Sequence, residues 1–150
     1  MKRYLLPYPY KFAGIILAGS GLILGVLYLF FELRINLTVF AIASTFLKNE
    51  YFTLIHTNVA DEMAMIALLI GLSLMALSKE RSERDHDDQL RIKALVHALR
   101  LQIILVSLSI LLVYGTAFIM LLVFNMYACL LFYYLLFLLF RKRYRTSAPV

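Results

Sequence analysis

Two clusters of basic side chains have the most evident binding chemistry in this sequence. Lys93, His97 and Arg100 are four and three residues apart, so a helix presents them on one face. The full set of candidate lipid- or partner-binding residues is Arg91, Lys93, His97, Arg100, Arg141, Lys142, Arg143 and Arg145. Basic residues beside a membrane attract anionic headgroups by about 1 kcal/mol each. A docking surface for a soluble partner or a plain orientation signal has the same composition.

A second group of polar side chains, His56, Asp61 and Glu62, has the composition of a metal site. Their spacing matches no established metal motif. Helix capping explains the acids instead, because Asn58 is a good N-cap and both carboxylates suit the positive end of a helix dipole. We therefore expect no metal site.

Motifs for catalysis are absent from the sequence. There is no Ser-His-Asp or Cys-His order, no glycine-rich phosphate loop and no CxxC, and Cys129 is the single cysteine. We therefore expect no catalytic residues, no cofactor and no enzyme activity. No ionisable residue lies deep within an apolar run, which argues against an ion-coupled carrier.

The composition predicts that these side chains are positioned by membrane-spanning helices. Hydrophobic residues make up 63% of the 150 residues and charged residues 16%, against about 45–50% and about 25% in soluble domains. The charges cluster at the ends of apolar runs. The formal charge of +6 is therefore interpreted as orientation signal, and no direct nucleic-acid binding is expected.

We predict an all-α polytopic membrane protein, in one domain over residues 1–150, with four transmembrane helices. A span needs about 20 apolar residues. The predicted segments are helices at 12–33, 59–78, 94–114 and 117–140, an outer loop at 34–58, a cytoplasmic loop at 79–93 and a basic tail at 141–150. Residues 34–58 fit no span, although 51–55 has β-like composition, and Lys48 to Tyr51 resembles a turn.

The apolar run from Leu101 to Phe140 is too long for one span and is expected to form a helical hairpin. We place the break at Tyr114-Gly115-Thr116, because glycine is the preferred residue at a helix C-terminus. Asn125 is then level with Ser107, and a hydrogen bond between them is expected to contribute to helix packing.

Small residues share one face of the first span. Gly14, Ala18, Gly21 and Gly25 are spaced by four, three and four residues, and Gly21 to Gly25 is a GxxxG match. Such a face lets another helix approach closely. The partner is either another helix of the same chain or the same face of a second copy in a homo-oligomer.

Orientation follows from the distribution of lysine and arginine. Of the 15 such residues, all but Arg34 and Lys48 fall in segments that are cytoplasmic if the N-terminus is cytoplasmic. Because basic residues are retained on the inner side, both termini are predicted to be cytoplasmic. Tyr133, Tyr134 and Phe140 are then expected to form an aromatic belt at the inner face.

Part of the sequence resembles a known family. Asp61-Glu62, Gly71, Ser78-Lys79-Glu80, Leu90-Arg91, Val113-Tyr114-Gly115, Phe118 and Asn125-Met126 resemble a family of small, uncharacterised four-helix inner-membrane proteins of anaerobic Gram-negative bacteria. The likeness covers roughly residues 60–128, and Arg81-Ser82-Glu83-Arg84 replaces a more acidic run. The resemblance implies a multi-pass protein of the bacterial inner membrane. It also implies a small helix-turn-helix regulator as a possible partner.

These observations favour a non-enzymatic accessory or regulatory membrane protein. Its charged cytoplasmic loop and basic tail would contact a partner, another membrane subunit or anionic lipid. The alternative is a small oligomeric channel or transporter subunit, assembled through the face of Gly14, Ala18, Gly21 and Gly25.

Overall fold

A computed structural model describes residues 5–44, 50–81 and 86–147. The described chain is mostly helical and contains four helices and two strands. In chain order these are α1 (Tyr8–Phe31), β1 (Asn36–Ser44), β2 (Glu50–Asn58), α2 (Ala60–Leu77), α3 (Asp87–Leu112) and α4 (Thr116–Ser147). Each of these helices is long and apolar enough to cross a membrane. Their sides carry many exposed large hydrophobic residues, as a lipid-facing surface requires.

The helices differ from the predicted spans mainly at their ends. α1 begins at Tyr8 rather than at residue 12, because Pro9 falls in its first turn, where no backbone donor is needed. α3 begins at Asp87 rather than at residue 94, and Asp87 and Asp88 suit its positively polarised start. α4 continues through the basic tail to Ser147, where Arg145 suits the opposite pole.

The prediction of an all-α chain is wrong for the predicted outer loop. β1 and β2 pair as an antiparallel hairpin, with Asn36 opposite Asn58 and Phe40 opposite Leu54. Exposed Phe40 and Phe52 lie with ring centroids 6.4 Å apart. β-Branched and aromatic residues favour this pairing over a helix. Glu50 and Tyr51 belong to β2, whereas the rest of the predicted turn lies outside the described residues.

By internal packing the chain divides into two units, Ile16–Ile70 and Met1–Ile15 with Gly71–Val150. In the first of these, Asn58 connects the hairpin to the helices. Its Oδ1 accepts hydrogen bonds from the backbone N–H groups of Ile35 (2.8 Å) and Ala60 (3.1 Å), and its Nδ2 donates to the Leu33 carbonyl. The bond to Ala60 confirms Asn58 as the predicted cap of α2.

The small-residue face of α1 lies against α2. Gly21 is buried, and a Cβ added there would lie 2.6 Å from the backbone nitrogen of Leu68. At Gly25 the nearest such atom is the Ala64 Cβ, at 3.9 Å. In the other unit, a Cβ added at Gly14 would lie 2.8 Å from the Gly71 carbonyl oxygen. The close approach that small residues permit is thus made within one chain.

α3 and α4 form a tight helical hairpin. α3 ends at Leu112 and α4 begins at Thr116, so the break falls on residues 113–115. Gly115 has a φ of +73°, a conformation that glycine adopts without the steric cost of a Cβ. The turn places the start of α3 beside the end of α4.

The predicted hydrogen bond between Ser107 and Asn125 is wrong. Ser107 is exposed, and Asn125 Nδ2 instead donates to Ser109 Oγ at 3.4 Å. Gln102 Nε2 donates to the Asn125 backbone carbonyl at 2.8 Å. Two residues correspond to about 200° around a helix, so Ser107 and Ser109 have similar depth but lie on opposite faces.

Candidate functional site: the basic end of α3 and α4

In the unit that contains α3 and α4, the hydrophobic core lies where α3 begins and α4 ends. Leu90, Ala94 and Ala98 recur every four residues along α3, and Tyr133 and Phe137 do the same on α4. Small alanine side chains leave room for the two aromatic rings between the helices. This packing fixes the relative positions of the basic side chains that both helices carry at this end.

Arg91 is buried within this core rather than exposed on the surface. Its side chain is 1% exposed. Nη2 donates to the Ser78 carbonyl at 2.9 Å, and Nη1 lies 3.3 Å from both the Ala76 carbonyl and the Tyr133 hydroxyl. The guanidinium carbon lies 4.3 Å from the Phe137 ring centroid, within the range of a cation–π contact.

These contacts correct the predicted role of Arg91. Carbonyl groups at the C-terminal end of a helix lack intrahelical donors, and Arg91 supplies donors at the end of α2. It is therefore a structural residue and is not accessible to lipid headgroups or a soluble partner. Tyr133 is likewise buried, so its place in the predicted aromatic belt is wrong.

Four charged side chains, Lys11, Glu80, Asp87 and Arg141, form an ion cluster beside the core. Glu80 accepts from Lys11 Nζ and pairs with Arg141 Nη1 at 2.9 Å. Arg141 Nε lies 3.5 Å from Asp87 Oδ2. Arg141 is 9% exposed and Asp87 is 4% exposed. The prediction that Arg141 belongs to a surface binding site is therefore wrong, because its charge is used within the fold.

The ion cluster changes the protonation chemistry of Glu80. Burial raises the pKa of this carboxyl, but Lys11 and Arg141 lower it by hydrogen bonding and charge attraction, and the net shift is downward from 4.5. Glu80 is therefore an ionised acceptor near neutral pH. The cluster joins the start of α1, the segment after α2, the start of α3 and the C-terminal part of α4.

A groove of about 390 Å³ lies beside the ion cluster. Its lining residues are Leu90, Lys93, His97, Phe140, Arg143 and Tyr144. The ring of His97 makes an edge contact with Phe140, with centroids 5.4 Å apart, and its Nδ1 lies 2.8 Å from the Lys93 carbonyl oxygen. Leu90 and Phe140 provide an apolar floor, and Lys93 and Arg143 provide positive charge. Such a surface can bind an anionic amphiphile.

The predicted basic residues thus fall into three groups. Arg91 and Arg141 are buried, whereas Lys93, His97 and Arg143 line the groove. The remaining residues, Arg100, Lys142 and Arg145, are exposed outside the groove lining. Helical spacing gives no indication of ion pairs between distant segments, so the sequence does not identify Lys11, Glu80 and Asp87 as site residues.

The candidate metal ligands His56, Asp61 and Glu62 lie on two different elements, β2 and α2. His56 Nδ1 lies 3.2 Å from Thr38 Oγ1 across the β-hairpin. Asp61 and Glu62 lie in the first turn of α2. Within the described ranges, no group of three or more metal-ligating side chains comes together.

Comparison with known proteins gives no further assignment. No protein-family model, curated protein or solved structure matches the chain. The family resemblance therefore stays a prediction.

Proposed function

We propose that this chain is an accessory, non-catalytic protein of the bacterial inner membrane, which binds anionic lipid through its basic end. In this proposal both termini are cytoplasmic and the β-hairpin is external. The bias of lysine and arginine toward the termini and the segment between α2 and α3 supports this orientation. The basic end then faces the leaflet in which anionic lipids give a negative surface potential.

The single observation that carries the proposal is the separation of two kinds of cation. Lys11 and Arg141 pair with the carboxylates of Glu80 and Asp87. Lys93 and Arg143 are exposed, and neither forms an ion pair or side-chain hydrogen bond with a residue that the structure describes. Exposed basic residues that have no acidic partner within the described ranges can attract headgroups, at about 1 kcal/mol each.

The oligomeric channel alternative has less support from the packing. It relied on the face of Gly14, Ala18, Gly21 and Gly25 as a contact between copies. Gly14 and Gly21 lie within van der Waals distance of α2 in the same chain, so an oligomer would need a different surface. A soluble partner, such as a small helix-turn-helix regulator, would compete for the same exposed cations.

The orientation is tested with reporters fused after Val150 and within the β-hairpin. We expect a cytoplasmic signal from the first fusion and an external signal from the second. The opposite pattern would overturn the proposal, because the basic end would then face away from the inner leaflet.

Lipid binding is tested on the full chain reconstituted in vesicles of zwitterionic lipid with and without phosphatidylglycerol. We expect a higher thermal midpoint of unfolding in the anionic vesicles, and loss of the difference at high salt, because exposed charges are screened. Equal midpoints in the two lipids at low salt would contradict the proposal.

A further inference from the structure

The groove between the start of α3 and the end of α4 combines charge with an apolar floor. Lys93 and His97 lie one helical turn apart on α3, and Phe140, Arg143 and Tyr144 lie on one face of α4. Its volume of about 390 Å³ falls within the range of about 300–1,000 Å³ that is usual for small-molecule sites. The groove is open along the surface of the two helices, so it can contact one side of a lipid headgroup without enclosing it.

The charge in the groove favours an anion. No carboxylate occurs among the described residues that line it. Glu80 and Asp87, which lie on neighbouring segments, are paired with Lys11 and Arg141. The positive charges of Lys93 and Arg143 are thus not cancelled by these acids. Tyr144 adds a hydroxyl that can donate to an oxygen ligand.

The direction of the side chains brings these groups together. Side chains on a helix lean toward its N-terminus. Lys93 therefore leans toward the start of α3. Because α4 is antiparallel to α3, Arg143 leans in the opposite direction, back along α4 toward its apolar part. The contact between His97 and Phe140, which are far apart in sequence, agrees with this convergence.

The depth of the groove matches that of a lipid phosphate. The stretch from Lys93 to Leu112 rises roughly 30 Å at about 1.5 Å per residue, which equals a typical hydrocarbon thickness. Lys93 then lies where hydrocarbon gives way to headgroups. α4 begins at Thr116 and rises roughly 40 Å to Arg143 at about 1.5 Å per residue, so Arg143 lies beyond the hydrocarbon.

We infer that this groove is a specific site for one anionic glycerophospholipid, with the phosphate between Lys93 and Arg143 and the glycerol and first acyl carbons over Phe140, toward the apolar part of both helices. The inference rests on the proposed function, since it requires this end of the helices to lie at a lipid headgroup region. It adds a discrete site with a defined ligand class to a general preference for anionic lipid.

The test is a titration of the detergent-solubilised full chain with phosphatidylglycerol, followed by native mass spectrometry. The groove variant is Lys93→Gln with Arg143→Gln. The control variant, Arg100→Gln with Lys142→Gln, removes the same charge from exposed positions outside the groove on the same two helices.

We expect the groove variant to bind the first lipid about 25-fold more weakly, which is about fivefold for each cation at about 1 kcal/mol. The control variant should change by about twofold at most. Free glycerol phosphate should not compete at lipid concentrations, because it lacks the acyl chains that contact the apolar floor. Arg143→Lys should retain binding within about threefold, since it preserves the charge.

Several outcomes would overturn the inference. Equal weakening in the groove and control variants would show that total charge, not the groove, attracts lipid, and the proposed function would still stand. Wild-type binding of phosphatidylglycerol no tighter than that of phosphatidylcholine would overturn both. Competition by free glycerol phosphate would replace the lipid site with a soluble phosphate site. Circular dichroism of each variant establishes that the helices remain folded, and Arg143→Lys gives an independent result if the double variant unfolds.

Discussion

Replacement of Gly21 by alanine tests how closely α1 approaches α2. A Cβ added to Gly21 would lie 2.6 Å from the Leu68 nitrogen and 3.0 Å from the Ala64 carbonyl oxygen. Ordinary contacts begin near 3.4 Å. Both neighbouring atoms belong to the backbone, so no side-chain rotation can relieve the overlap. α1 and α2 must separate locally for the methyl group to fit.

The expected cost of Gly21→Ala combines two effects of opposite sign. Added volume in a well-packed contact costs about 1–3 kcal/mol. Alanine also favours the helical backbone by about 1 kcal/mol relative to glycine. We expect a net decrease in the free energy of unfolding of about 1–2 kcal/mol, because tight contacts to backbone atoms place this site near the upper end of the packing cost.

Two glycines on the same helix supply matched controls. A Cβ at Gly19 would meet nothing within 4 Å, and a Cβ at Gly25 would make an ordinary 3.9 Å contact with Ala64. Gly19→Ala should therefore stabilise the protein by about 0.5–1 kcal/mol, since only the backbone term remains. Gly25→Ala should be neutral or slightly stabilising. The sign of the effect on the free energy of unfolding then changes with position over less than two turns of helix.

The measurement is unfolding by sodium dodecyl sulfate in mild detergent micelles, followed by circular dichroism at 222 nm. The chain has no tryptophan, so the helical signal is a more direct probe than fluorescence. If Gly21→Ala proves as stable as Gly19→Ala, the close approach of α1 and α2 at this position is wrong.

Three further predictions concern the unit that contains α3 and α4, and they use the same unfolding assay. Arg91→Met should lower the free energy of unfolding by about 2–4 kcal/mol, because buried carbonyl oxygens lose their donor. The exposed control Arg100→Met should change it by less than about 0.5 kcal/mol. Similar losses in the two variants would refute the structural role of Arg91. Because the pKa of Glu80 is lowered in the folded protein, its contribution to stability is complete above pH 4.5 and is lost as the pH falls through the folded-state pKa. Glu80→Gln should therefore reduce the acid sensitivity of the unfolding midpoint. Parallel pH profiles of the variant and the wild type would contradict this. Gly115→Ala should cost about 1–2 kcal/mol because of the positive φ alone, with Gly115→Asn costing less, and an unchanged stability would argue against the left-handed turn.

The helices and the turn between α3 and α4 are predictable from local sequence. Length and hydropathy identify each span, and the glycine at 115 is the one residue in that region which adopts a positive φ at little cost. Helix ends are harder to predict. The start of α3 at Asp87 and the end of α4 at Ser147 extend into charged segments, where hydropathy gives no signal, although charge–dipole preferences do.

The β-hairpin shows a different limit of local patterns. Residues 51–55 have strand-like composition, but a strand is stable only when a second segment pairs with it. That segment, Asn36–Ser44, contains small and polar residues that are also compatible with an interfacial helix. Pairing across residues 36–58 is a property of two segments together, so the sequence of either one is insufficient to predict it.

The basic end demonstrates why a count of charges does not identify a binding site. Arg91 and Lys93 are two residues apart, which is about 200° around a helix, so one faces the core while the other faces outward. The helical spacing of Lys93, His97 and Arg100 indicates a shared exposed face. It does not show that Arg91 meets carbonyl groups 13 and 15 residues earlier in the chain and a tyrosine 42 residues later. The same holds for Arg141 and its distant acids.

Burial of these two arginines orders the ends of α2, α3 and α4, and this order is what positions Lys93 and Arg143 on either side of one groove. The buried cations therefore determine the geometry of the site, and the exposed cations supply the charge that we propose binds lipid.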